Sequence, residues 1–236
     1  MSSPSPLRAA LLAARANLVP GIVLQIFAGA IVAAYYLHPG SRAALESLAE
    51  FRGEVGLPFA IVSTGLFGAV IPFAILALNA STRHRYSLGQ MAALTGFWAY
   101  KGVEISLFYA IQARIFGEGQ DALTIVAKTV VDQFIYGPML ATPLTWLVYA
   151  WTEHRFDTAA LSRDLRRPRL YADRIFPLLV TSWVVWVPAV AIIYLLPTAL
   201  QLPLQNIVCC FFTLLIIFMT KRGPAVPADA TRAEKA

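Results

Sequence analysis

The sequence predicts an all-α bundle of about six membrane-spanning helices, and three observations predict it. Apolar types make up 58% of the 236 residues and charged types only 14%, too little charge to cover a soluble domain of this size. The apolar residues fall in continuous runs, not in the two-residue alternation of a membrane barrel strand. The basic residues gather between those runs, mostly on alternate loops, as cytoplasmic loops of a polytopic protein do.

A helix needs roughly 20 apolar residues to cross the hydrocarbon core. Six runs qualify: 17–37, closing on Tyr35 and Tyr36; 57–79; 90–112; 122–151, long enough to tilt or bend around Pro138 and Pro143; 176–197, with Pro188; and 203–220. Proline is tolerated in such helices where neighbours satisfy the freed carbonyls. Six spans put the N-terminus, the second and fourth loops and the C-terminus on one side. That side holds Arg8, Arg15, Arg83, Arg85, Arg155, Arg163, Arg166, Arg167, Arg169, Arg174, Lys221, Arg222, Arg232 and Lys235. The other holds only Arg42, Arg52 and Arg114. The asymmetry places both termini on the cytoplasmic side. One membrane domain, 17–222, is expected between a cytoplasmic lead-in, 1–16, and a disordered cytoplasmic tail, 223–236, of Pro, Ala and charges. The lead-in is Arg-bearing and acid-free, which also suits a transit peptide, but it is short and lacks a cleavage-like site.

The loop 152–174 is expected to hold a short helix, capped by Asp157, running to Arg167 and stopped by Pro168. Its Arg163, Arg166, Arg167 and Arg169 suit contact with anionic lipid headgroups. No groove-reading motif accompanies them, so no nucleic-acid partner is expected.

Four charges lie inside the runs: Lys101 and Glu104 in the third, Lys128 and Asp132 in the fourth. Charge in lipid is costly, so each needs a partner, a cavity or a route to the interface. The i,i+3 and i,i+4 spacings put each pair on one helix face. Lys101 lies about 16 Å along its helix from one surface and Asp132 about 15 Å along its own from the other. Antiparallel neighbours would then oppose Lys101 to Asp132 and Glu104 to Lys128, a net-neutral cluster with Gln133 beside it. Two roles are open for it: tying two helices together, or lining a polar path. A snorkelling Lys128 is a third arrangement.

The remaining residues point to packing. Trp98, Trp183 and Trp186 suit packing better than a pocket, and Trp146 and Trp151 suit the cytoplasmic interface. Gly65 and Ala69 have the spacing for close helix contact. His38, His84 and His154 lie in loops and do not converge. Adjacent Cys209 and Cys210 rarely suit a disulfide and read as inert packing residues. There is no metal signature, phosphate-cradling loop or nucleophile–base arrangement. No metal, cofactor or catalytic residue is therefore expected, and the chain does not read as an enzyme.

The fourth run reads Lys128-Thr-Val-Val-Asp132-Gln133-Phe-Ile-Tyr-Gly-Pro138. This string resembles the Mpv-seventeen family of small membrane proteins of the mitochondrial inner membrane and the peroxisome. The stretch from Leu107 to Gly117, the Tyr194-Leu-Leu-Pro197 segment, and the last run closing on Lys221-Arg222 continue the likeness, which covers about 57–222. The family's Trp-Pro dipeptide is absent, although Trp186 and Pro188 lie close by, and Gly68 is not followed by its Asp. The resemblance implies a channel-like membrane protein and marks Lys128, Asp132, Gln133, Pro138, Tyr194 and Pro197. It does not extend to Lys101 or Glu104.

The expected function is that of a small channel or transporter-like protein. The alternative is a structural or assembly factor of the membrane. Six helices leave little central space, so a homo-oligomer is one way to complete a pore. The Arg- and Ala-rich composition suits a bacterial cytoplasmic membrane first, and a mitochondrial or peroxisomal one second.

Overall fold

A computed structural model describes residues 15, 17–78, 82–83 and 85–220, the last six by backbone alone. The lead-in through residue 14, His84 and the tail from Lys221 onward lie outside the described residues. All regular structure among the described residues is helical. Helix α1 is Leu18–Leu37, α2 is Pro39–Val55 and α3 is Leu57–Leu78. Helix α4 is Leu88–Phe116. Helix α5 runs through Ala122–Val131, Asp132–Ala141 and Thr142–Glu153 without a break. Helix α6 is Thr158–Leu165, α7 is Tyr171–Ile193 and α8 is Thr198–Thr220.

Polar residues set the helix starts. Ser87 and Gln90 form a reciprocal capping box at the head of α4, satisfying two of the amides a helix start leaves free. Asp121 accepts from the Thr124 amide before α5. Asp157 caps α6 as expected, accepting from Ala159 and Ala160 at 2.8 and 3.0 Å. The Ala160 amide, with that of Ala159, holds its carboxyl below the usual range. That helix ends at Leu165, two residues short of Arg167.

Prolines set the helix shapes. Three stretches are wound as π-helix: 66–70 in α3, 132–141 in α5 and 171–175 in α7. Each ends two residues before a proline, Pro72, Pro143 or Pro177. Proline lacks an N–H and crowds the carbonyl four residues back. Widening the preceding turn relieves that crowding. Helix α8 starts at Thr198, five residues before the expected boundary, with Pro203 inside it. Pro203 cannot donate to Ala199 four residues back, and the Arg52 guanidinium of α2 donates to that carbonyl and to Thr198. In α7 the Gln25 amide bonds the Val185 carbonyl at 2.8 Å, one turn before Pro188. Helix α7 begins five residues earlier than expected and stops at Ile193, leaving Tyr194 to Pro197 in a tight turn.

The main core joins α1, α4, α7 and α8. Leu24, Ala28, Val32 and Tyr35 of α1 pack with Val185, Ala189 and Ile193 of α7 and with Leu200, Leu204 and Val208 of α8. A second core joins Trp146 and Ala150 of α5 to Ile175 and Leu179 of α7. Trp146 is therefore inside the bundle rather than at the interface expected for it. Helices α3 and α4 approach closest at Gly102, where a Cβ would fall 2.7 Å from the Ala60 carbonyl carbon and 2.9 Å from the Thr64 hydroxyl. The expected small-residue contact at Gly65 is looser: its Cβ would meet Ala99 at 3.5 Å.

Large apolar side chains also cover the outside. Ile26 is 68% exposed, Val62 67%, Leu123 79% and Met139 77%. Apolar cover of this kind on several helices suits lipid rather than water. Helices α1, α3 and α7 are each long and apolar enough to cross a membrane, and Thr198–Leu214 is a shorter apolar helix. Helices α4 and α5 are as long, but they carry the interior charges.

Candidate functional site

The residues singled out on α4 and α5 are buried: Lys101, Lys128, Asp132 and Gln133 are each less than 10% exposed, and so is the Glu104 side chain. The structure sorts them into two groups rather than one four-charge cluster. In the first, Lys101 pairs with Glu104 on its own helix. The Tyr136 hydroxyl of α5 lies 3.0 Å from the Lys101 ammonium and also donates to Glu104. The Tyr136 ring stacks on Phe108 with centroids 4.0 Å apart.

In the second group, the Asp132 carboxylate accepts from the Tyr194 hydroxyl at 2.8 Å and from the Gln133 amide at 2.8 Å. Gln112 of α4 donates to the same Tyr194 oxygen at 3.2 Å and to the Lys128 carbonyl at 3.0 Å. Trp183 of α7 donates to the Gln133 carbonyl. Asp132 and Gln133 on α5 thus meet Tyr194 beyond the end of α7, so two of the stretches on which the resemblance was read touch each other. Pro138 accepts from the Tyr171 hydroxyl through its carbonyl, and Pro197 from the Leu200 amide at the start of α8.

The expected cross-helix pairs, Lys101 with Asp132 and Glu104 with Lys128, are not formed. Among the described residues the only ion pair in this region is Lys101 with Glu104. The Lys128 ammonium instead lies over the Tyr194 ring, 5.8 Å from its centroid, a geometry that attracts a cation to the ring face. The expectation assumed straight α-helices. It also took the register of α4 against α5 from residue spacing alone, and Tyr136, four residues beyond Asp132 in the π segment Asp132–Ala141, is the α5 residue that reaches Lys101. Tyr136 takes the place beside Lys101 that the spacing gave to Asp132, and Asp132 meets Tyr194 instead. Lys101 meanwhile meets its partner one turn along α4, at no cost in ordering a second helix.

Beside both groups is a cavity of about 430 Å³ between α4, α5, α7 and α8. Its wall includes Lys101, Asp132 and Gln133, but neither Glu104 nor Lys128. Trp98, Trp183 and Trp186, expected to be packing residues, line it as well. In its wall the Trp98 indole donates to the Tyr149 hydroxyl at 3.1 Å, and the Tyr109 hydroxyl donates to Gln205 of α8 at 3.3 Å. Cys209 also faces the cavity; both cysteines are free and buried. Tyr136, Gln112 and Gln205 were not singled out from the sequence. Their signal was an amide or hydroxyl inside an apolar run, which must find a partner when buried.

Away from the cavity, His38 caps α2 by accepting from Ser41. His154 and Arg167 share Asp164, at 2.8 and 2.9 Å. Arg163, Arg166 and Arg169 are exposed and in no ion pair among the described residues. No group of three or more His, Cys, Asp or Glu among the described residues could hold a metal ion.

Fold and site together define an all-helical protein with three helices able to cross a membrane and a largely apolar cavity with Lys101 and Asp132 in its wall. No protein-family model matches the chain, and no curated protein or solved structure does either, so its function has to be read from this chemistry.

Proposed function

We propose that the chain is a six-span membrane protein that passes or carries a small solute through its own bundle, a channel- or transporter-like member of the Mpv-seventeen type. Helices α1, α3, α4, α5, α7 and α8 are the spans in this reading. Both termini and the α6 loop face the cytoplasm of a bacterial inner membrane, where Arg163, Arg166 and Arg169 meet anionic headgroups. The observation that carries the reading is the cavity of about 430 Å³ with Asp132 and Lys101 in its wall. Ionisable groups held in a membrane interior mark solute and ion pathways. The meeting of Asp132, Gln133 and Tyr194 supports the resemblance.

Purified protein in liposomes should pass solute or current, and Asp132→Asn should change the rate. No flux across a range of solutes and voltages would refute the reading. Topology is tested separately. After replacement of Cys209 and Cys210, single cysteines at Ser162 and Gly119 should be labelled from opposite faces of the membrane. Labelling of both from one face would refute the six-span arrangement.

A structural or assembly role is the second reading. It is favoured by the closed Lys101–Glu104–Tyr136 contact, in which the two charges meet each other inside the bundle. There the exchange Lys101→Glu with Glu104→Lys should restore folding and phenotype together, and flux should be absent.

A further inference from the structure

We propose that the cavity between α4, α5, α7 and α8 binds an amphiphilic organic cation, with the Asp132 carboxylate as its counter-ion. The proposal rests on the reading of this cavity as the solute site and narrows the class of solute.

Asp132 is the unmatched charge of the cavity wall. Lys101, the cation in the cavity wall, is already paired with Glu104. Lys128 does not face the cavity and lies over Tyr194. Asp132 does face it, is only 6% exposed, and has no cation within ion-pair distance among the described residues. Lys101 acts on it only from beyond that distance. The two groups that bond Asp132, the Tyr194 hydroxyl and the Gln133 amide, are neutral. A carboxylate has about four acceptor positions, and Tyr194 and Gln133 fill two of them. A buried, uncompensated charge is costly, and a ligand ammonium supplies both the missing charge and the missing donors.

The rest of the wall suits the same ligand. Phe108, Tyr109, Tyr136, Trp183 and Trp186 present aromatic surface, which holds an apolar body and attracts a cation at the ring face. The volume lies within the roughly 300–1,000 Å³ of small-molecule sites. An anion meets Asp132 and finds Lys101 occupied. A neutral apolar molecule leaves Asp132 uncompensated.

Four of the five tryptophans, Trp98, Trp146, Trp183 and Trp186, line the cavity, so intrinsic fluorescence of the full chain in neutral detergent reports occupancy. The probes are 2-phenylethylamine, 2-phenylethanol and 3-phenylpropionate, which share an apolar body and differ in charge. The amine should quench saturably and bind about 10- to 100-fold tighter than the alcohol, the range of a charge-assisted hydrogen bond; the acid should bind weakest. Asp132→Asn should bring the amine down to the alcohol's affinity. Equal binding of amine and alcohol, tighter binding of the acid, or no saturable response to the amine overturns the proposal. The three-probe order in the unmutated chain decides this even if the variant fails to fold. Cation-selective binding without flux in liposomes keeps the site and removes the transport reading. Flux without cation selectivity does the reverse.

Discussion

Gly102→Ala should destabilise the bundle by about 2 kcal/mol, through the place where α3 and α4 lie closest. The new Cβ would lie far inside contact distance of the Ala60 carbonyl oxygen, 2.7 Å from its carbon and 2.9 Å from Thr64 Oγ1. Ala60 is backbone and cannot swing away, so the two helices must part. Overpacking of this kind costs about 1–3 kcal/mol, and a backbone clash belongs at the upper end. Thr64 must also move, straining its 3.0 Å hydrogen bond to Asn206 of α8. Against this, alanine gains about 1 kcal/mol over glycine in a helix interior. The net is a loss, read as a lower thermal midpoint in detergent. Gly96→Ala, on the same helix with nothing within 4 Å, should be neutral or stabilising by up to about 1 kcal/mol. If Gly102→Ala matches or exceeds the unmutated midpoint while Gly96→Ala behaves as stated, the close α3–α4 approach is wrong.

Tyr194→Phe removes the hydroxyl that joins Asp132 to Gln112; it should cost about 1–3 kcal/mol, measured by the same thermal assay. Arg52→Met leaves the Ala199 carbonyl, already orphaned by Pro203, without a donor; a loss of about 1–2 kcal/mol is expected, with faster proteolysis at the α2–α8 contact. The Asp157 carboxyl is depressed in the folded chain. Its cap therefore stabilises α6 above the unfolded value of about 3.9 and loses that contribution as pH falls through the folded value. Amide protection over Thr158–Leu165 should drop with acid in the unmutated chain but not in Asp157→Asn, which caps without titrating.

The helices were legible in the sequence because their causes are local. Continuous apolar runs mark α1, α3 and α7, and Asp157 marks where α6 begins. The burial of Lys101, Lys128 and Asp132 was legible too, since charges inside such runs have few other places to go. Their partners were not. Pairing was inferred from spacing along two neighbouring helices, but Tyr136 rather than Asp132 reaches Lys101, and Asp132 meets Tyr194 beyond the end of α7, a residue 62 positions away. The early start of α8 was hidden for a related reason. Pro203 reads as a boundary until Arg52, about 150 positions away in the chain, is seen to serve the carbonyl it frees.

What the sequence by itself determined is the helical class, the apolar runs, the Asp157 cap and the list of interior charges, because each follows from composition, periodicity or a neighbour within a few residues. What only the tertiary structure decided is which charge meets which partner, where Gly102 lets two helices touch, and that a cavity walled by tryptophans lies beside Asp132. Those depend on the rotation and separation of helices far apart in the chain, which spacing along any one helix does not fix.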